Sequence, residues 1–169
     1  MIWIRAIFAL LAVLLLGACS SRPKMWHYVY RPGKTAVLVR GKAVPPAGLP
    51  PQVMRAISAG NRIAGLPYKY GGGHRSFVDN GYDCSGAASY VLAAAGALHR
   101  PGTSDSLRHF GHKGEGRYIT LYTRKGHHCF LIVAGMRFDT GYNGEGKGPR
   151  WSTKSRPIDG YVARHPPGL

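Results

Sequence analysis

The stretch GYDCSGAASYVLAAAG, Gly81–Gly96, sets a cysteine between an aspartate and a Ser-Gly pair and then runs on in small and apolar residues. This pattern predicts a buried helix that starts at Cys84, continues to about Ala95 and stops at Gly96. Asp83 is the expected N-cap, its carboxylate accepting a bond from the amide of Ser85 or Gly86. A thiol needed only for packing could stand anywhere along such a helix. One in the first turn gains from the unpaired amides and the macrodipole, which favour the thiolate and lower the pKa from its free value of ~8.5. The charge of Asp83 opposes this, but a capping carboxylate points at backbone amides and mainly fixes the turn. Gly86 and Ala87 keep the helix start slim, so a sheet residue is expected to approach the sulfur.

Immediately upstream, GLPYKYGGGHRSFVDNGY (Gly65–Tyr82) is rich in glycine and aromatics and reads as a loop that walls a site. Before it, Pro51 to Ala64 predicts a helix with proline at its start, Val53, Met54, Ile57 and Ala64 on its apolar stripe, and Gly65 as the stop. WHYVY and TAVLVR flank the turn RPGK and predict a hairpin, and GKAVPPAGLPP is a proline-rich connector. Downstream, Gly102 to Gly116 is polar and irregular, with a short helical turn expected around Ser104–Phe110. Strands are expected at Arg117–Tyr122, His128–Val133 and Met136–Thr140. A glycine-rich loop GYNGEGKGPRW and a last short strand within GYVARH follow. Helices and local strand pairs of this kind indicate an α+β chain.

At 169 residues with 44% hydrophobic content the chain suits one domain with a core of its own. Three cysteines, Cys19, Cys84 and Cys129, argue against a disulfide framework and for at least one working thiol. The formal charge of +16 implies attraction to polyanions. Its basic residues are scattered singly through loops, without the basic helix or aromatic-flanked basic strand of nucleic-acid modules, so nucleic acid is not the expected partner.

The first residues, MIWIRAIFALLAVLLLGAC, carry one early arginine and an apolar run from Ala6 to Leu16 that is short of the ~20 residues of a spanning helix, which predicts an export signal. Its end, Leu16-Gly17-Ala18-Cys19, resembles the lipobox of bacterial lipoproteins. The resemblance implies a signal over 1–18, lipidation of Cys19 as the new N-terminus, a tether over 19–25 and a domain over 26–169. Two or more acyl chains hold a protein stably where one does not. Ser20, a non-acidic residue after the cysteine, implies by the same resemblance a lipid anchor in the outer membrane, facing the periplasm.

A thiolate nucleophile needs a base, usually a histidine brought from elsewhere in the chain. Of eight histidines, most lie in loops and read as solvated side chains. His128 differs because it opens the apolar strand HCFLIV, where a polar residue at the strand's end suits the edge of a cleft. If HCFLIV and MRFDT form a hairpin turning at Ala134-Gly135, Phe130 opposes Asp139. Asp139 then shares a face with His128, one diagonal step away, close enough to orient the imidazole. His127 and Cys129 would point to the other side, Cys129 as a small buried hydrophobe. Ala-Gly is not a favoured two-residue turn.

GLPYKYGGG followed by GYDCSGAASYVLAAAG, with a histidine opening a later strand, resembles the NlpC-type family of cell-wall cysteine peptidases, a papain-like group. The match runs from about Ile57 to Thr140. It implies an antiparallel sheet packed against helices with the nucleophile at a helix N-terminus. It implies Cys84 as nucleophile, His128 as general base and Asp139 as the third catalytic residue. It also implies that Tyr68 lines the site and joins the Cys84 amide in holding the oxyanion, with peptidoglycan stem peptides as substrate and no cofactor or metal. The sequence departs from the family pattern at Gly116-Arg117, where Gly-Asp is common, and at Cys129-Phe130, where small residues usually follow the histidine. The third position is more often His, Asn or Gln, so either Asp139 substitutes or the register differs by one. A catalytically weak or inactive wall-binding or regulatory lipoprotein, and an amidase or acyltransferase using the same dyad, are the alternatives. The oligomeric state is open.

Overall fold

Proline at the first turn and a Pro-Gln start free of competing side-chain caps open the helix α1 (Pro51–Ile63), which buries Val53, Ala56, Ile57, Ala59, Gly60 and Ile63. The computed structural model describes residues 22–142, 145 and 147–169. The export signal, Cys19 and the first residues of the tether lie outside the described residues. The stripe of α1 is not quite the one expected: Met54 is 41% exposed, and small residues at 56, 59 and 60 face inward instead. The reason is close packing, since a Cβ on Gly60 would lie 2.4 Å from the ring of Trp151. α2 (Cys84–Ala94) follows the long loop, with Asp83 as N-cap and Gly96 in the left-handed region beyond it at φ 76°.

The strands in chain order are β1 (Met25–Trp26), β2 (Val37–Val39), β3 (Lys42–Val44), β4 (His112–Lys113), β5 (Ile119–Arg124), β6 (His128–Val133), β7 (Met136–Asp139), β8 (Arg150–Ser152), β9 (Arg156–Pro157) and β10 (Val162–His165). A 3-10 turn, Ser106–His109, lies where a short helical segment was expected. The main sheet is antiparallel throughout, in the order β4-β10-β5-β6-β7-β8. β2 pairs with β3 and β1 with β9 in two small antiparallel ribbons.

The expected hairpin between WHYVY and TAVLVR does not form. TAVLVR instead turns back on the following residues through Arg40-Gly41, both at positive φ (47° and 78°), the geometry that matches the twist of a two-residue hairpin. Met25–Trp26 pairs with a strand near the chain's end. β8 also arises inside what reads as a glycine-rich loop, where Trp151 packs on Phe138 with ring centroids 4.7 Å apart.

The helices cover one face of the sheet. Val53, Ile57, Val91 and Leu92 from the helices and Leu121, Cys129, Leu131, Met136 and Phe138 from the sheet share one core. Each large aliphatic or aromatic side chain there contributes about 1.5–3 kcal/mol by leaving water. The opposite face carries a second, smaller cluster of Tyr122, Phe130, Ile132 and Ile158, shielded by Trp26 and Tyr161. Among the described residues no helix is long and apolar enough to cross a membrane.

Candidate active site

The β6–β7 hairpin sets the geometry. Leu131 opposes Phe138 and Val133 opposes Met136, which is the register of a two-residue Ala134-Gly135 turn. Both turn residues sit at positive φ, 46° and 71°, so the twist-matched turn forms although its first residue is alanine. Alternation then places His128, Phe130, Arg137 and Asp139 on the face away from the helices, with Cys129 on the face toward them.

His128 Nε2 lies 2.6 Å from Asp139 Oδ1. Asp139 is fully buried and holds its charge by compensation: Arg137 Nη1 donates to Oδ2 at 2.7 Å, the amide of Thr140 donates to Oδ1 at 2.8 Å, and Arg156 Nε forms an ion pair at 3.4 Å. Arg137 is itself buried and pairs with Glu145 Oε2 at 2.5 Å. Arg156 lies over the ring of Tyr142, 4.0 Å from its centroid. Burial pushes the Asp139 pKa up, but the bond and charge of His128 and the two guanidiniums outweigh it, so the carboxyl stays below its ordinary value. His128 Nε2–H therefore donates to a carboxylate, which leaves Nδ1 for the thiol.

Cys84 is the first residue of α2 and partly exposed. Its pKa is lowered to about 5: hydrogen bonding with the Cys129 side chain is the largest cause, burial opposes, and the bond and charge of His128 add to the lowering. His128 is raised to about 9: burial pulls it down, and the hydrogen bonds and charges of Asp139 and Cys84 more than offset that. Between those values the pair is a thiolate and an imidazolium. His128 reaches Cys84 because it is the terminal residue of β6, while Cys129 reaches it through the core.

Asp83 caps α2 as expected and does more. Oδ1 accepts from the Gly86 amide at 2.8 Å and from Ser85 Oγ at 3.1 Å, and it lies 3.0 Å from His74 Nε2; Oδ2 accepts from the Gly71 amide at 3.0 Å. The carboxylate thus staples the glycine loop to the helix start. The slim turn also admits that loop: a Cβ on Gly86 would lie 1.9 Å from the Gly72 carbonyl oxygen. Tyr68 is 41% exposed and lines a cleft of about 340 Å³ together with Tyr70, His74, Cys84, Ser104 and His127. A hollow of about 520 Å³ beside Arg108, Lys113 and Arg164 is larger but holds no nucleophile.

The structure thus brings together Cys84, His128 and Asp139, with Tyr68 and Asp83 at the same cleft. The sequence reading missed Arg137 and Arg156, which neutralise the surroundings of Asp139. It also missed His74 and His127 on the cleft wall, and the part of Cys129 in lowering the Cys84 pKa. Arg137 had a signal, since period two puts it on the face of Asp139. The loop histidines had none. Among the described residues no group of three or more His, Cys, Asp or Glu is placed to hold a metal ion.

No family model matches the chain, and no curated protein matches it. Among solved structures it is similar to the Resuscitation Promoting Factor Interacting protein RipA in mutated forms. One superposes with a TM-score of 0.51 at 23% identity, covering 68% of this chain and 62% of that one. The likeness is one of fold. Two other mutated forms give TM-scores of 0.47 and 0.48 at 23% and 21% identity over the same shares. The chain spans 62% of the length of the RipA chain it matches.

Proposed function

We propose that this chain is a papain-like cysteine peptidase of the NlpC type that hydrolyses amide bonds in peptidoglycan stem peptides. The observation that supports it most is a cleft-lining thiol at a helix N-terminus whose pKa is lowered in part by His128, an imidazole that lies 2.6 Å from a buried carboxylate. A thiolate there attacks the carbonyl carbon of an amide. The developing oxyanion is met by the Cys84 amide, one of the helix's first N–H groups without an intrahelical partner, and by the Tyr68 hydroxyl. His128 gives its proton to the leaving amine, and the acyl group stays on sulfur. Neutral His128 then takes a proton from water, whose attack releases the acid and restores the thiol pair. Asp139 orients the ring and stabilises its charged form throughout.

The motif resemblance supports peptidoglycan as the substrate, and the charge of +16 favours encounter with anionic wall polymers. We place the protein on the periplasmic side of the outer membrane, held by a lipid anchor on Cys19. The experiment is mass analysis of fragments released from isolated sacculi by the full-length protein purified in detergent. Fragments cut within the stem peptide, absent with Cys84→Ala, are expected. Sacculi that bind the protein and stay intact would transfer the reading to a wall-binding lipoprotein.

A further inference from the structure

Cys129 has no part in the hydrolytic cycle, yet its position is specific. It is the second residue of β6, on the strand face turned to α2, fully buried, in the same core against which Cys84 packs. Cys84 packs against that core from the helix start, and the side chain of Cys129 is the largest cause of its lowered pKa. Cys84 opens to the cleft, whereas Cys129 has no exposed surface. Both residues sit near the ends of their elements, Cys84 at the first residue of α2 and Cys129 one residue in from the start of β6, where a helix and a strand yield more readily to the ~2.05 Å S–S bond of a disulfide than they do at mid-element.

We propose that Cys129 is a resolving thiol, which converts peroxide oxidation of Cys84 into a reversible Cys84–Cys129 disulfide that switches the site off. This rests on the reading of Cys84 as a reactive thiolate, though not on which amide it cleaves. In the first step the Cys84 thiolate attacks one oxygen of hydrogen peroxide. The O–O bond breaks, hydroxide leaves and takes up a proton as water, and Cys84 becomes a sulfenic acid. In the second, the Cys129 sulfur attacks the Cys84 sulfur. The S–O bond breaks, the S–S bond forms, and the departing hydroxide leaves as water with the Cys129 proton. Two thiols and one peroxide give one disulfide and two waters.

The order follows from access. The oxidant reaches the partly exposed thiolate through the cleft, while the buried Cys129, whose pKa is pushed up by hydrogen bonding with Cys84 and by burial, stays a thiol until its neighbour becomes electrophilic. With a thiol in the core against which Cys84 packs, the sulfenic acid is captured before a second peroxide carries it to the irreversible sulfinic acid. A dithiol reductant restores both thiols by exchange.

The test treats the full-length protein with hydrogen peroxide, digests it without reduction and maps the cysteine peptides by mass. The expected result is one linked pair, Cys84 with Cys129 rather than with Cys19, together with full loss of rapid alkylation at Cys84 and its full return after dithiothreitol. Cys129→Ser and Cys129→Ala should instead accumulate sulfinic acid at Cys84 that dithiothreitol does not reverse. Sulfenic or sulfinic acid at Cys84 of the unaltered protein, with no linked pair, overturns the proposal even if both variants fail to fold. Peptide mapping needs no substrate, so a protein that leaves sacculi intact but forms the linked pair would sink the peptidase reading and keep this one.

Discussion

Asp139→Asn separates what the third residue does by shape from what it does by charge. Asparagine keeps the size and an oxygen able to accept from His128 Nε2, but it removes the carboxylate that holds the imidazolium and compensates two guanidiniums. Burial then acts on His128 with less opposition, and the Cys84 thiolate remains its one anionic partner. From about 9, the histidine should fall by about one to two units, equivalent to roughly 1.5–3 kcal/mol at 1.36 kcal/mol per unit. The alkaline limb of the hydrolysis profile should move down by the same amount, because above that pH the ring no longer carries the proton for the leaving amine. The fold pays as well. Arg137 keeps Glu145 and Arg156 keeps its contact with Tyr142, but both lose their shared carboxylate in a buried setting. Removing one partner from such a cluster costs about 3–5 kcal/mol, which for a chain of this size lowers Tm by roughly 6–20 °C. The assays are kcat/KM against pH and thermal unfolding at pH 7. An alkaline limb that stays near 9 with Tm within about 2 °C of the parent would refute the assignment of Asp139 as a charged, buried anchor.

Gly86→Ala should destabilise by about 1–3 kcal/mol, because its Cβ meets the Gly72 carbonyl oxygen at 1.9 Å, and should slow Cys84 alkylation as the helix start is pushed off the loop; denaturant unfolding and alkylation rates check both. Tyr68→Phe should lower kcat by roughly ten- to a hundredfold with little change in KM, somewhat less than the loss of a fully enclosed oxyanion donor, and an unchanged kcat would remove Tyr68 from that role. Cys19→Ala should yield protein that carries no acyl label and leaves the membrane fraction; retention of label and membrane association would contradict the lipid anchor.

How far the sequence speaks depends on how local the determinant is. The span of α2 was readable because its cap, its first-turn thiol and its stop at Gly96 lie within sixteen residues. The β6–β7 register was readable because a two-residue turn leaves no choice of pairing, even with Ala134 in the left-handed region. The pairing of Met25–Trp26 with Arg156–Pro157 was not, since two-residue strands distant in the chain carry no periodicity. β8 was hidden by its glycine-rich surroundings and is held by Trp151 packing on Phe138 and Gly60, contacts that belong to tertiary structure alone. Cys129 shows the limit most clearly. Alternation placed it correctly on the face opposite His128 and in the core, but only the docking of α2 on that face reveals that its neighbour is the nucleophile.

The rate of Cys84 alkylation by a small neutral reagent, measured from pH 4 to 10 on the folded full-length protein and followed by peptide mapping, bears most directly on the thiolate–imidazolium pair. A depressed thiol pKa means the reactive form is present above it, so the rate should rise through a midpoint at about 5 and stay high across neutral pH. It should change again near 9 as His128 loses its proton, and in His128→Ala the acid midpoint should move upward. A single rise centred near the ~8.5 of a free thiol, unaltered by His128→Ala, would contradict the pair and the hydrolytic chemistry built on it.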